Sequence, residues 1–143
     1  MRLISHRGNI LGKNPDRENK IKYILEALGE GYDVEVDVRY IDGKWYLGHD
    51  TPDEEVEESF LEKAGIWAHC KNIEAFVHLY GNRHINYFWH QRDDVVFTSF
   101  GYMWAYPGKQ PIPNSVAVLP EIHGDDISAC WGICSDVIGE YAK

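Results

Sequence analysis

The chain has 143 residues, 44% hydrophobic and 26% charged, which suits one soluble domain, residues 1–143, with a single packed core. Its formal net charge of -9 argues against a nucleic-acid partner, because affinity for a phosphate backbone rests on clustered Lys and Arg. No apolar run approaches the roughly 20 residues of a membrane span, and the N-terminus lacks a leader-like apolar core, so the expectation is a cytoplasmic protein with no stable membrane insertion.

Leu3 to His6 reads as a short strand, and Gly8 to Arg17, with Gly12 and Pro15, as a loop. Across Glu18 to Leu28, the three- and four-residue spacing of Ile21, Ile24, Leu25 and Leu28 predicts a helix that Gly29 and Gly31 end. Tyr32 to Tyr40 is a strand, and Asp42-Gly43 is a hairpin turn into its partner Lys44 to Leu47. Thr51 to Lys63 opens with Pro and many acids and reads as a short solvated helix. Ile66 to Cys70 is the next strand and Ile73 to Tyr80 the next helix.

Beyond Gly81 the chain is a series of short aromatic or β-branched runs bounded by turn residues: Ile85 to His90, Val95 to Ser99, Tyr102 to Tyr106, Val116 to Leu119 and Gly132 to Val137. The expected fold class is α/β, a reduced TIM-barrel-like fold with about eight short strands and few outer helices. The aromatic residues Tyr87, Phe88, Trp89, Tyr102, Trp104 and Tyr106 are expected to pack the strands. Cys70, Cys130 and Cys134, an odd number without metal-ligand spacing, are expected to be reduced and buried.

Chemistry concentrates in the first fifty residues. Glu35 and Asp37 lie two apart in the alternating run Val34 to Val38, so a strand points both carboxylates to one face. Two carboxylate oxygens on a stiff strand suit a hard cation such as Mg²⁺ or Ca²⁺. Taken alone, the same alternation also describes a solvated strand face. His6 and Arg7 close the first apolar run, and His49 follows one hairpin later with a second titratable imidazole. His69 and Lys71 share a face by the same period of two. Glu121 follows a strand and Pro120 toward a rim, and His90 ends a strand where it could line a pocket.

In this order, His6-Arg7-Gly8, Glu18-Asn19, Asp33 to Val38, Asp42-Gly43 and His49-Asp50 resemble the glycerophosphodiester phosphodiesterase family of PI-phospholipase-C-like barrel enzymes. The motifs cover about the first third, and Cys134-Ser135-Asp136 is a fainter echo of the family's last barrel strand. The resemblance implies metal-dependent hydrolysis of a small phosphodiester, most plausibly a glycerophosphodiester, as in lipid metabolism. In it His6 and His49 are the catalytic acid and base, and Arg7 grips the phosphate in a fork. Glu35 and Asp37 hold the cation, and Glu18 stands behind Arg7 or the metal. The family's third strand reads E-x-K, whereas Ala68-His69-Cys70-Lys71 offers His69 to the metal and Lys71 to the phosphate. An imidazole ligand widens the cation choice from Mg²⁺ or Ca²⁺ to Mn²⁺ or Zn²⁺.

Two other functions fit the same residues: a sphingomyelinase or lysophospholipase D-like lipid phosphodiesterase, and a non-catalytic phosphate- and metal-binding module. TIM barrels usually take about 250 residues, so this chain has shed helices and loops. The apolar surface so exposed would suit a homo-oligomer.

Overall fold

The structure is a computed structural model that describes all of residues 1–143. Ten strands form one mixed sheet: β1 (Arg2–His6), β2 (Asp33–Ile41), β3 (Lys44–Leu47), β4 (Glu54–Val56), β5 (Ile66–Cys70), β6 (Asn86–Phe88), β7 (Val95–Phe97), β8 (Met103–Ala105), β9 (Ser115–Val118) and β10 (Gly132–Ser135). Seven of them run parallel in the order β6-β5-β2-β1-β10-β9-β8. The first strand thus lies between the second and the last, and the sheet curls into a half-barrel.

No strand ladder joins β6 to β7 or β8, so the curl stays open there. Ser99 bridges that gap: its N–H donates to the Tyr87 carbonyl, and its Oγ accepts from the Tyr87 N–H and donates to the Ile85 carbonyl. The fold class is α/β, as expected, with ten strands where about eight were expected.

Helices cover only part of the outer face. In α1 (Ile21–Gly29), Ile24 and Ala27 are fully buried against β2, while Leu25, turned outward, stays 43% exposed. The helix starts later than its periodicity predicts, which leaves Glu18 in the preceding turn, and Glu54 of β4 accepts from the Ile21 N–H that opens it. In α3 (Ile73–Leu79) the Asn72 side chain caps the first turn by accepting from the Ala75 N–H at 3.1 Å and pairs with the Tyr40 backbone. Thr51 to Lys63 is not one solvated helix: Glu54–Val56 adds a strand to the β2–β3 hairpin, and only α2 (Glu58–Leu61) is helical. There Val56 buries against Trp45, and Leu61 joins the same core, which a solvated helix would leave wet. A final turn, α4 (Ile138–Tyr141), packs on β1 and β10.

Alternation sorts the side chains into two cores. Val34, Val36 and Val38 point outward from β2 and meet α1, α3 and the hairpin, with Ile24, Leu61, Leu79 and Ile85. The concave interior holds Ile4, Trp67, Phe88, Trp104, Val116, Val118 and Cys134. Phe88 and Trp104 meet there at 4.7 Å between ring centroids. Cys70 and Cys134 are buried free thiols, but Cys130 is partly exposed. No helix is long and apolar enough to cross a membrane.

Ile24→Ala should therefore lower the unfolding free energy by about 2–4 kcal/mol in urea titration, through lost burial and the cavity left behind. Leu25→Ala on the neighbouring, half-exposed position should cost about 1 kcal/mol or less.

Candidate functional site

The C-terminal ends of the parallel strands share one rim, and the sequence-predicted residues gather there. His6 ends β1, Glu35 and Asp37 lie on the concave face of β2, and His69 near the end of β5 faces both carboxylates. One ligand atom from each of Glu35, Asp37 and His69 can be chosen so that all lie within 4.8 Å of one another. Glu35 is 2% exposed and Asp37 not at all, so neither is the wet strand acid that alternation alone allowed.

This trio has the donor chemistry of a metal site. The His69 Nε2–H donates to the His90 carbonyl at 3.0 Å, which leaves the Nδ1 lone pair of the neutral ring facing inward. Nδ1 lies 3.6 Å from Asp37 Oδ1 and 3.8 Å from Glu35 Oε2, too far for hydrogen bonds. Glu35 Oε1 and Asp37 Oδ1 are buried without any hydrogen-bond partner. Two buried carboxylates, each with an unpartnered oxygen, beside an imidazole lone pair that faces both of them fit a divalent cation.

Asp37 is held ionised in spite of that position. Burial alone would raise its carboxyl, but the charge of Arg7, that of the His69 ring when it is protonated, and the Asn19 side-chain hydrogen bond more than offset this and bring it below the ordinary value. Arg7 Nε lies 3.0 Å from Asp37 Oδ2, and the Asn19 amide donates to the same oxygen at 2.9 Å while accepting from the Asp37 N–H. Both Arg7 and Asn19 have left-handed backbones, at φ 60° and 58°, a conformation that Asn tolerates and Arg adopts only under constraint. The adjacent Gly8 is obligatory, since a Cβ there would sit 2.5 Å from the Tyr23 ring.

Arg7 is engaged on two acids. Its NH1 donates to Glu18 Oε1 at 3.2 Å and its Nε lies 3.0 Å from Asp37 Oδ2, so two edges of the guanidinium face carboxylates. The NH2 group and the second NH1 hydrogen are left for a ligand. Lys71 continues the inward row of Trp67 and His69, lines the cleft and has no ion-pair partner, which makes it the free cation beside the trio.

Each imidazole at the mouth is backed by a carboxylate. His6 Nδ1 donates to Asp136 Oδ1 at 2.7 Å, and its Nε2 points toward Glu35 Oε2, 3.9 Å away. His49 Nδ1 donates to Asp50 Oδ1 at 2.7 Å, so both rings leave Nε2 for a reacting proton. His6, Arg7 and His49 together line two adjoining clefts. A polar one of about 310 Å³ includes Lys13, Glu18, Asp53 and Asp136, and a mixed one of about 290 Å³ includes His69, His90, Trp104 and Leu119. Larger hollows of about 560 and 450 Å³ lie at the opposite end of the strands, around Arg2 and Trp131, where no comparable set of titratable groups converges.

Several contributors escaped sequence reasoning. Asn9, fully buried, donates to both Asp136 and Glu18 and joins the two halves of the network. Arg39 continues the row of Glu35 and Asp37 and holds the His49 loop, with Nε to the Gly48 carbonyl at 3.2 Å and NH2 to the His49 carbonyl at 2.5 Å. Gly48 must be glycine, because at φ 154° a Cβ would meet the Thr51 carbonyl oxygen at 1.8 Å. Period-two alternation from Glu35 could have flagged Arg39, whereas nothing local marks Asn9. Glu121 does not reach the site: it accepts from Ser135 Oγ and Tyr141 O–H and fastens a short 3₁₀ turn to β10 and α4. His90 fills a structural place, its carbonyl on His69 and its own Nε2–H on the Asp93 carbonyl.

The His6–Asp136 pair has a signed effect on stability. Burial disfavours the His6 imidazolium, but the Asp136 hydrogen bond and the Glu35 charge override it and raise His6 above 6.5. For Asp136, burial is likewise outweighed by the His6 hydrogen bond and charge, and its carboxyl falls below 3.8. The pair therefore stabilises fully between those two values, and its contribution is lost as pH rises through the elevated His6 value or falls through the depressed Asp136 value. Melting curves of the metal-free protein should show Tm declining above about pH 6.5, with that slope reduced in Asp136→Asn. Comparison with protein-family models, with curated proteins and with solved structures returns no match for this chain.

Proposed function

We propose that this protein is a phosphoric diester hydrolase that acts with a divalent cation and two histidines on a small phosphodiester, most plausibly a glycerophosphodiester. The reading rests on one observation above the others: two carboxylate-backed imidazoles, His6 and His49, share a mouth with Glu35, Asp37 and His69. The order of motifs along the first fifty residues, which resembles the glycerophosphodiester phosphodiesterase family and its barrel, points the same way.

Glu35, Asp37 and His69 would hold the cation, which supplies positive charge to a phosphate as negative charge grows on it. Lys71 faces the same cleft and adds a second positive charge to a phosphoryl oxygen. One imidazole accepts the proton of the attacking hydroxyl or water at Nε2, and the other delivers a proton from Nε2 to the departing oxygen. Asp136 and Asp50 hold the rings at Nδ1, and Asp136 favours the imidazolium of His6. Arg7, set against Asp37 and Glu18, helps keep Asp37 ionised and has NH2 left for a phosphoryl oxygen. The imidazole ligand widens the cation choice to Mn²⁺ or Zn²⁺ beside Mg²⁺ and Ca²⁺.

A panel of glycerophosphodiesters and an aryl phosphodiester, crossed with Mg²⁺, Ca²⁺, Mn²⁺ and Zn²⁺, should reveal turnover that a chelator stops. His6→Ala and His49→Ala should each lower kcat by about 10²-fold or more, with melting temperature retained in His49→Ala and lowered in His6→Ala by loss of the Asp136 pair. Glu35→Gln should abolish the cation-dependent rise in Tm, a readout independent of turnover. No hydrolysis with any metal in the panel would end the reading. Arg39→Met should cut kcat about tenfold or more by freeing the His49 loop, while leaving the cation-dependent rise in Tm in place.

A further inference from the structure

The chain carries nine net negative charges, yet the outer part of the mouth is not acidic. Above the metal trio the cleft widens to a vestibule of about 920 Å³, lined by His49, Lys71, Gln91, Arg92, Asp93 and Tyr106. Lys71 and Arg92 face it without an ion-pair partner. Asp93 is the one acid on this wall. The next residue, Asp94, is turned to Lys109 at 3.1 Å. Lys71 lies near enough to Asp50 to help lower its carboxyl, after the hydrogen bond and charge of His49, without forming an ion pair.

Lys71, His49, Gln91 and Tyr106 line both the vestibule and the inner cleft, so the two spaces are continuous. For a diester phosphate beside the trio, the vestibule is one of two spaces open to an ester arm, the polar cleft at His6, Arg7 and His49 being the other. Tyr106 is the one hydrophobic residue on its lining, which disfavours an acyl or other apolar arm. Two unpaired cations in an acidic chain instead favour an arm with a negative charge of its own, both by contact and by steering.

We infer that the vestibule is a second anion subsite, and that the preferred substrate is a phosphodiester whose outer arm ends in a phosphomonoester. Arg92, on the loop after β6, is the residue that distinguishes this arm from a neutral one. The inference rests on the hydrolase reading above for the inner phosphate, but the outer subsite is measurable without turnover.

Glycerophosphoglycerol and its terminally phosphorylated counterpart form a matched pair for the test. The wild-type protein should prefer the phosphorylated diester in kcat/KM by about tenfold at low ionic strength, the scale of one charge-assisted contact. That ratio should shrink in about 0.5 M salt and collapse toward one in Arg92→Gln. Equal kcat/KM for the two diesters, or a preference untouched by Arg92→Gln, would overturn the subsite. If neither diester is hydrolysed, calorimetric titration of the metal-free protein with inorganic phosphate decides the matter separately. Binding weakened several-fold in Arg92→Gln supports the subsite even as the hydrolase reading falls, and identical titrations of the two proteins overturn it.

Discussion

Placing two carboxylates side by side at the buried mouth of a curled sheet is the constraint that organises this molecule. Glu35 and Asp37 project from the same face of β2, one 2% exposed and the other fully buried. Charges removed from water in that way are costly unless they are paired and hydrogen-bonded. Arg7 and Asn19 meet Asp37, His69 lies between the two acids, and His6 faces Glu35 from the next strand. Arg7 in turn draws in Glu18, Asn9 bridges Glu18 to Asp136, and Asp136 holds His6. The left-handed backbones at Arg7 and Asn19 are local strain tolerated inside this closed circuit. Two carboxylate oxygens still have no partner after all of it, and that residue of unpaired charge is why a cation fits here.

One strand carries both halves of the arrangement. The outward residues of β2 are Val34, Val36 and Val38, fully buried under the helices and the hairpin, and they fix the strand's position. Its inward residues present Glu35 and Asp37 to the trio, and Arg39 to the loop that bears His49. Along one edge the Glu35 carbonyl accepts from the Arg7 N–H and the Asp37 carbonyl from the Gly48 N–H, so β2 aligns the residues after β1 and after β3 in succession. The Glu35–Asp37–His69 trio and the imidazoles of His6 and His49, aligned along one rigid strand, keep a common geometry without long loops. That economy suits a chain with so little length beyond its core.

Strong net acidity and locally unpaired cations coexist because electrostatics at short range is set by neighbours, not by totals. The chain carries a net charge of -9, while Lys71 and Arg92 line the outer mouth without an ion pair. Net charge summed over the chain therefore carries little information about how a single cleft meets a small ligand.

Period-two alternation was enough to place Glu35 with Asp37 and His69 with Lys71, since the pleat of a strand sends alternate side chains to one face whatever surrounds it. Helical spacing likewise marked α1 and α3, and the Asp42-Gly43 turn marked the β2–β3 hairpin. Where acids were read as a solvated helix, the tertiary context won: Val56 and Leu61 bury in the outer core, and Glu54 serves the first turn of α1. What the sequence by itself determined, then, was which residues share a strand or helix face. Only the tertiary structure decided which faces meet. Parallel pairing of β1 with β10 brings Asp136 onto His6 across 130 positions of chain, and the fold alone turns Arg7 to Asp37 and Glu18. Those partnerships depend on distances between segments remote in sequence, and no local pattern of residue types encodes such distances.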